Sequence, residues 1–245
     1  RRFEGRRYES SDSADGSGRL PQCCCNCGYR LLRPSGEQPL VEPWQGDAMA
    51  ELVLIRHGET EWSKSGQHTG RTDIPLTRNG RKRAAELQPL LSHRAFGLTV
   101  CSPMERARDT AHLAGLTPDE IDPDLMEWDY GAWEGRTTPD IRVELGNPEW
   151  AIWDYPIPPG ATPGESTDEV AVRCQRVIDK CLPVLNSGRD CALIAHGHVL
   201  RILTATWLGL PSDKGRLFML EAGALSSLGF ERTQHVISGW NQTPE

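Results

Sequence analysis

From about residue 49 onward, short apolar runs alternate with longer stretches of helical period. Leu52-Val53-Leu54-Ile55 is a continuous apolar run of strand length, 191–195 is another, and 98–101, interrupted only by Thr99, reads as a further short strand. Apolar runs without polar alternation are expected of strands buried on both faces. Between them, residues 77 to about 91 read as a helix, with Pro89 expected to kink or shorten its last turn. Ser102-Pro103-Met104-Glu105 predicts a helix start, with Ser102 as cap, Pro103 at the first helical position and Glu105 closing a capping box. Thr138-Pro139 opens a shorter helix that should stop near Gly146. Ser166 and Glu169 make a second capping box, after which Val170, Cys174, Val177, Ile178, Cys181, Leu182 and Leu185 keep a 3.6-residue period. An apolar helix is expected over 199–208, and late strands over 216–221 and 224–230, joined by Glu221-Ala222-Gly223. The alternation predicts a single α/β domain, with a doubly wound, mostly parallel sheet and helices on both faces. Ligands of such sheets bind beyond the C-terminal ends of the strands.

The pattern is missing before residue 49. Residues 1–48 hold seven Arg and seven Asp plus Glu, are rich in Gly, Ser and Pro, and show no amphipathic period. Met49, directly ahead of the first strand, reads as the true start, with 1–48 a disordered extension or upstream reading-frame sequence and 49–245 the folded domain. The alternative for the leader is a small zinc element on Cys23, Cys24, Cys25 and Cys27. Zinc sites usually join two C-x₂₋₄-C pairs, and no second pair or His lies nearby, which disfavours it. Cys101, Cys174, Cys181 and Cys191 lie in apolar segments, where a thiol packs as a small hydrophobe, so a reducing, cytoplasmic setting is expected. The 27 basic and 34 acidic residues leave a charge of −7, all of it on 49–245. That excess argues against a nucleic-acid or membrane-surface partner. No apolar run approaches the roughly 20 residues that cross a bilayer.

Two of the predicted strands end alike, in Arg56-His57-Gly58 and in Ala195-His196-Gly197. Glycine after histidine lets the chain turn sharply and lets a ligand approach the backbone. Arg beside His suits an anion pocket with a neutral imidazole better than a divalent metal. Leu54-Ile55-Arg56-His57-Gly58-Glu59-Thr60 resembles the signature of the histidine phosphatase superfamily, which includes the cofactor-dependent phosphoglycerate mutases. The resemblance spans residues 51–245 and continues in order. Thr69-Gly70, then Leu76-Thr77 and Gly80, resemble the phosphate-loop region. Ser102 to Ala111 resembles the segment whose Arg clamps phosphate, here Arg106. Leu125 to Gly135 resembles the acid-bearing segment, with Glu127 as proton donor, and Ala195-His196-Gly197-His198 carries the second histidine. The implied fold is phosphoglycerate mutase-like.

The resemblance implies phosphoryl transfer through a phosphohistidine on His57, with Arg56, Arg106 and His196 holding the equatorial oxygens. The neighbouring Arg charges should keep His57 neutral. Glu127 must arrive protonated, so a bell-shaped profile with an acidic optimum is expected. Ser63, Thr69, Gly70, Tyr130, Gly197 and His198 are the candidate phosphate- and substrate-binding residues. No metal and no cofactor are called for. Thr138 stands where the mutases carry a Lys, Ser63 and His198 replace mutase Asn residues, and 149–155 lacks the expected basic residues. These departures favour hydrolysis of a small phosphorylated metabolite. The run 62–70 looks closest to the acid-phosphatase and sugar-phosphatase branch. A 2,3-bisphosphoglycerate-dependent phosphoglycerate mutase is the enzymatic alternative, and an idle phospho-ligand or protein-binding module on the same fold the non-enzymatic one. Trp150 and Trp153 are candidates for an aromatic rim or for packing under a loop, and 158–163 for reshaping the pocket mouth. A homodimer is left open.

Overall fold

The computed structural model describes residues 50–244; the extension expected over 1–48, its cysteine cluster and Met49 lie outside the described residues. The chain runs β1 (Leu52–Arg56), α1 (Glu61–Ser65), α2 (Arg78–Glu86), α3 (Gln88–Leu91), β2 (Phe96–Cys101), α4 (Glu105–Leu113), β3 (Glu120–Ile121), α5 (Thr138–Leu145), α6 (Thr167–Asn186), β4 (Asp190–Ala195), α7 (Gly197–Trp207), β5 (Leu225–Glu231) and β6 (Gln234–Gln242). The sheet order is β3-β2-β4-β1-β5-β6. The first four strands are mutually parallel, and β5 and β6 extend the sheet in antiparallel fashion. This is the α/β architecture the alternation predicts.

Both faces of the sheet are buried, which is why its central strands read as unbroken apolar runs. Leu52 and Leu54 of β1 and Leu193 of β4 face the larger core, under Val170, Cys174, Val177 and Ile178 of α6 and Val199, Leu200 and Leu203 of α7. Val53, Ile55, Ala192 and Ile194 face the opposite core, under Leu87, Leu91, Ala107 and Ala111. Among the described residues no helix is long and apolar enough to cross a membrane.

Three expectations are corrected. The helix expected over 77–91 breaks at Leu87, and Pro89 falls in the first turn of a separate short helix, where its missing N–H costs nothing. Helix α4 starts at Glu105 behind Met104, without a side-chain cap from Ser102. The Asp73 carboxylate instead accepts the Glu105 N–H at 2.9 and 3.1 Å. The segment 216–221 is not a strand: Ser212–Leu217 forms a 3-10 helix, and the closing hairpin is β5 with β6. Arg201 of α7 holds the carbonyls of Gly215 and Arg216, so these groups are not available to a sheet ladder. The second capping box forms as expected, with Ser166 and Glu169 exchanging bonds at the start of the 20-residue α6.

Candidate active site

His57 directly follows β1, and His196 directly follows β4. Arg56 pairs with Ala195 in the parallel register, and the His57 N–H donates to the Ala195 carbonyl at 2.9 Å. The two imidazoles therefore meet side by side beyond the strand ends, with centroids 5.1 Å apart. Gly58 allows the chain to leave at this point, since a Cβ there would lie 2.5 Å from the Gly80 carbonyl oxygen. His57 Nδ1 is 2.7 Å from the Gly58 carbonyl. A carbonyl only accepts, so Nδ1 carries the proton and Nε2 keeps its lone pair. Burial, then the charges of Arg106 and Arg56, hold the His57 pKa well below the ordinary histidine value.

His196 has both nitrogens engaged. Arg106 Nε donates to its Nδ1 at 3.1 Å, and its Nε2 lies 2.7 Å from Ser102 Oγ. A guanidinium N–H can only donate, so the proton of His196 is on Nε2 and Ser102 accepts it. The hydroxyl read as a helix cap is thus spent on this histidine. Burial and the charge of Arg106 push the His196 pKa well down as well.

The two arginines occupy different positions. Arg56 packs against Gly197, donates from Nη1 to the Leu220 carbonyl, and has a buried Nε with no partner among the described residues. Arg106 is fully buried, and its remaining donors go to the carbonyls of Thr69, Gly70 and Thr72. Those same residues are gripped from the other side by Glu134, which accepts the N–H of Gly70 and of Thr72 at 3.0 Å. The loop 69–73 is therefore fixed through its carbonyls by a cation and through its amides by an anion.

Glu127 lies against the first turn of α7. Its carboxylate accepts the N–H of Val199 at 2.8 Å, His198 at 3.0 Å and Trp128 at 2.9 Å. Behind it, buried Arg173 of α6 donates to the carbonyls of Asp124, Met126 and Glu127 and pairs with Glu165.

Arg56, His57, Glu127 and Gly197 line one cavity of about 330 Å³, together with Ser63, Thr69, Tyr130 and His198. Of the other sequence candidates, Arg106 and His196 stand behind this lining. Gly70 also lies outside it, its N–H spent on Glu134 and its Cα packed so that a Cβ would fall 2.6 Å from the Trp128 carbonyl oxygen. Thr69 Oγ1 donates to the Gln67 carbonyl, and Ser63 exchanges bonds with Thr60 in the cap of α1. Trp153 lines the cavity, whereas Trp150 is buried beside Trp133 and is no rim residue. The loop 158–163 packs on the acid segment, through Pro158 to Ala132 and Thr162 to Asp129, and contributes nothing to the cavity lining. Among the described residues no group of three or more His, Cys, Asp or Glu side chains is arranged to hold a metal ion.

Sequence reasoning missed His68, Glu134, Arg173 and Arg201. Arg173 and Arg201 carried a signal, since each interrupts an apolar helical stripe between core residues. His68 and Glu134 carried none, because their roles depend on chain segments about 65 residues away.

The family model of the histidine phosphatase superfamily (branch 1) matches residues 52–243. An acid phosphatase of Mycobacterium tuberculosis is 40% identical over 182 residues, covering 74% of this chain and 86% of that protein. Sedoheptulose 1,7-bisphosphatase of Saccharomyces cerevisiae is 35% identical over 192 residues, covering 66% of this chain and 69% of that protein. A solved structure of an open reading frame from Mycobacterium tuberculosis superposes with a TM-score of 0.73 at 37% identity, covering 80% of this chain and 99% of that one.

Proposed function

The chain belongs to the histidine phosphatase superfamily, and from that premise we propose that it is a metal-independent phosphomonoesterase acting on small phosphorylated metabolites through a phosphohistidine on His57. The observation that carries this reading is the pairing of a neutral His57, its Nε2 lone pair free, with an Arg56 whose Nη2 has no protein partner among the described residues, in one cavity. A guanidinium donor free on the cavity is a charge-assisted partner for a phosphoryl oxygen.

In the first half-reaction His57 Nε2 forms a bond to phosphorus as the ester P–O bond breaks, and Glu127 gives its proton to the departing oxygen. In the second, the Glu127 carboxylate takes a proton from water, the hydroxide oxygen bonds phosphorus, and the N–P bond breaks to release phosphate. Arg56 holds a phosphoryl oxygen throughout. Arg106 supplies positive charge from behind and fixes loop 69–73, and His196 fixes Arg106. Tyr130, whose hydroxyl burial keeps protonated, walls the leaving-group side. Thr138, Ala151, Ile152 and Trp153 line the cavity where a mutase would need cations to retain a second phosphate, which supports hydrolysis over mutase chemistry.

The full chain should hydrolyse 4-nitrophenyl phosphate in the presence of a chelator and acquire an acid-labile label from a radiolabelled phosphoester. His57→Ala should abolish both. Retention of near-wild-type turnover by that variant would sink the mechanism, and absence of any turnover by the wild type would favour the binding-module reading.

A further inference from the structure

The cavity has a second wall that the phosphoryl chemistry does not use. His68, Tyr130, Thr138, Trp153 and His198 line it. The His68 ring lies 5.0 Å from Tyr130 and 6.4 Å from His198, and His198 lies 5.0 Å from Trp153. The Tyr130 hydroxyl is 2.5 Å from His198 Nδ1. Because that phenol is protonated and donates, His198 carries its own proton on Nε2. Neither His198 Nε2 nor His68 Nδ1 has a protein partner among the described residues, and neither is among the fully enclosed orphans. His68 Nε2 touches Thr138 Oγ1 only at 3.5 Å, the outer limit of a hydrogen bond. Two imidazoles that line the cavity each keep a free ring nitrogen, His198 as an N–H donor.

Their charge state decides which ligand. Burial lowers the His68 pKa to about 4, and burial with the nearby Arg201 lowers that of His198 well below the ordinary value. The groups facing His198 are Tyr130, His68, Arg201, Arg56 and, through its backbone N–H, Glu127. Those around His68 are Tyr130, Thr138, Trp150 and His198. No carboxylate approaches either ring to favour its cation. With its lone pair taken by Tyr130, His198 offers an Nε2–H donor, and neutral His68 adds a ring nitrogen beside it, a pair that a substrate hydroxyl can meet without a charge.

Resting on the phosphomonoesterase reading above, we propose that His68 and His198 form a hydroxyl-reading subsite beside the phosphate pocket, so that the preferred substrates are phosphate monoesters of polyols and His68 sets that preference. A site built to bond substrate hydroxyls rejects the analogue lacking them, because its own polar groups are then left unpaired.

The test compares two six-carbon esters, sorbitol 6-phosphate and n-hexyl phosphate, on the full chain. The wild type should favour the hexitol ester by about tenfold to a hundredfold in kcat/KM. His68→Phe should cut that ratio by about tenfold, and His68→Gln, which keeps a donor and an acceptor, should restore most of it. Equal use of the two esters by the wild type, or equal loss on both in His68→Phe, would overturn the subsite. Should the wild type hydrolyse neither ester nor 4-nitrophenyl phosphate, the phosphatase reading fails by itself. Calorimetric affinities of the same two esters then decide the subsite: tighter hexitol binding that His68→Phe erases supports it, and equal affinities refute it.

Discussion

Replacing Gly197 by alanine should move activity and stability in opposite directions. Gly197 is the first residue of α7, and its backbone is not among those in the left-handed region, so alanine fits the local conformation. Such a change stabilises by roughly 0.4–1 kcal/mol, through helix propensity and a less disordered unfolded chain. The new Cβ, however, would stand 3.1 Å from Arg56 Cζ and 3.2 Å from its Nε. Carbon contacts settle at about 3.5 Å or more, so the guanidinium must retreat by about 0.4 Å. It is anchored at the Leu220 carbonyl through Nη1, and the displacement therefore falls on the face that should meet phosphate.

Misplacing a positioning group by about 1 Å costs on the order of a hundredfold, so 0.4 Å should cost about tenfold, or ~1.4 kcal/mol in the transition state. Steady-state kinetics with 4-nitrophenyl phosphate should show kcat/KM down about tenfold, and inhibition by inorganic phosphate should weaken by a similar factor. Thermal unfolding should stay constant or rise by up to about 3 °C. Activity within twofold of wild type would refute the claim that Arg56 holds the phosphoryl group. A fall of more than about 5 °C accompanying the loss would refute the packing argument, because the variant would then be failing as a fold.

Glu127→Gln should keep the Val199 and Trp128 N–H bonds on its one oxygen, give up that from His198, and lose about 10²–10⁴ in kcat on alkyl phosphates, with a smaller loss on 4-nitrophenyl phosphate, whose leaving group needs no proton; an equal loss on both would remove Glu127 from the acid role. Arg173→Leu leaves Glu165 to Arg71 alone and strands three carbonyls, and urea unfolding should show a loss of about 3 kcal/mol; less than about 1 kcal/mol would make that network irrelevant. Stability should also depend on pH. The folded pKa of His68, about 4, lies below its unfolded value near 6.5, so the fold favours the neutral form. That contribution, about 3 kcal/mol, is complete above pH 6.5 and is lost as pH falls towards 4. Burial shifts His57, His196 and His198 the same way, so urea midpoints should drop steadily between pH 7 and pH 4.5. His68→Phe should flatten part of that slope, and a flat wild-type profile would contradict it.

Much of the sheet and the strand-end histidines could be read locally, because a strand buried on both faces leaves an unbroken apolar run and a glycine marks where it must turn. The capping box at Ser166 was equally local, since its partner is three residues away. Ser102 shows where this fails. Its sequence context asks for a helix cap, but β4 brings His196 to its hydroxyl, and the loop supplies Asp73 to the helix instead. The loss of the strand at 216–221 has the same origin, since Arg201 claims carbonyls that local pattern had assigned to a ladder, whereas the break at Leu87 is local and sits beside Pro89. The resemblance named Arg106, yet its donors close on loop 69–73 and His196, an arrangement that no spacing along α4 encodes.

The same partnering explains how a chain with a charge of −7 presents an anion pocket. Five carboxylates around the site are already committed. Glu134 holds the amides of the loop, Glu127 those of the first turn of α7, Asp73 caps α4, and Glu165 and Asp129 face Arg71 or Arg173. Arg56 and Arg201 line the cavity without a carboxylate salt-bridge partner among the described residues, while Arg106, behind the lining, pairs with Asp73 at 3.6 Å. Acidic side chains thus build the walls and spend their charge on backbone N–H groups and on arginines facing away from the cavity. The field inside is then set by the few cations left unpaired. A substrate dianion meets that local field at close range, while the outer negative surface, screened beyond about 8–10 Å at physiological salt, has little influence there.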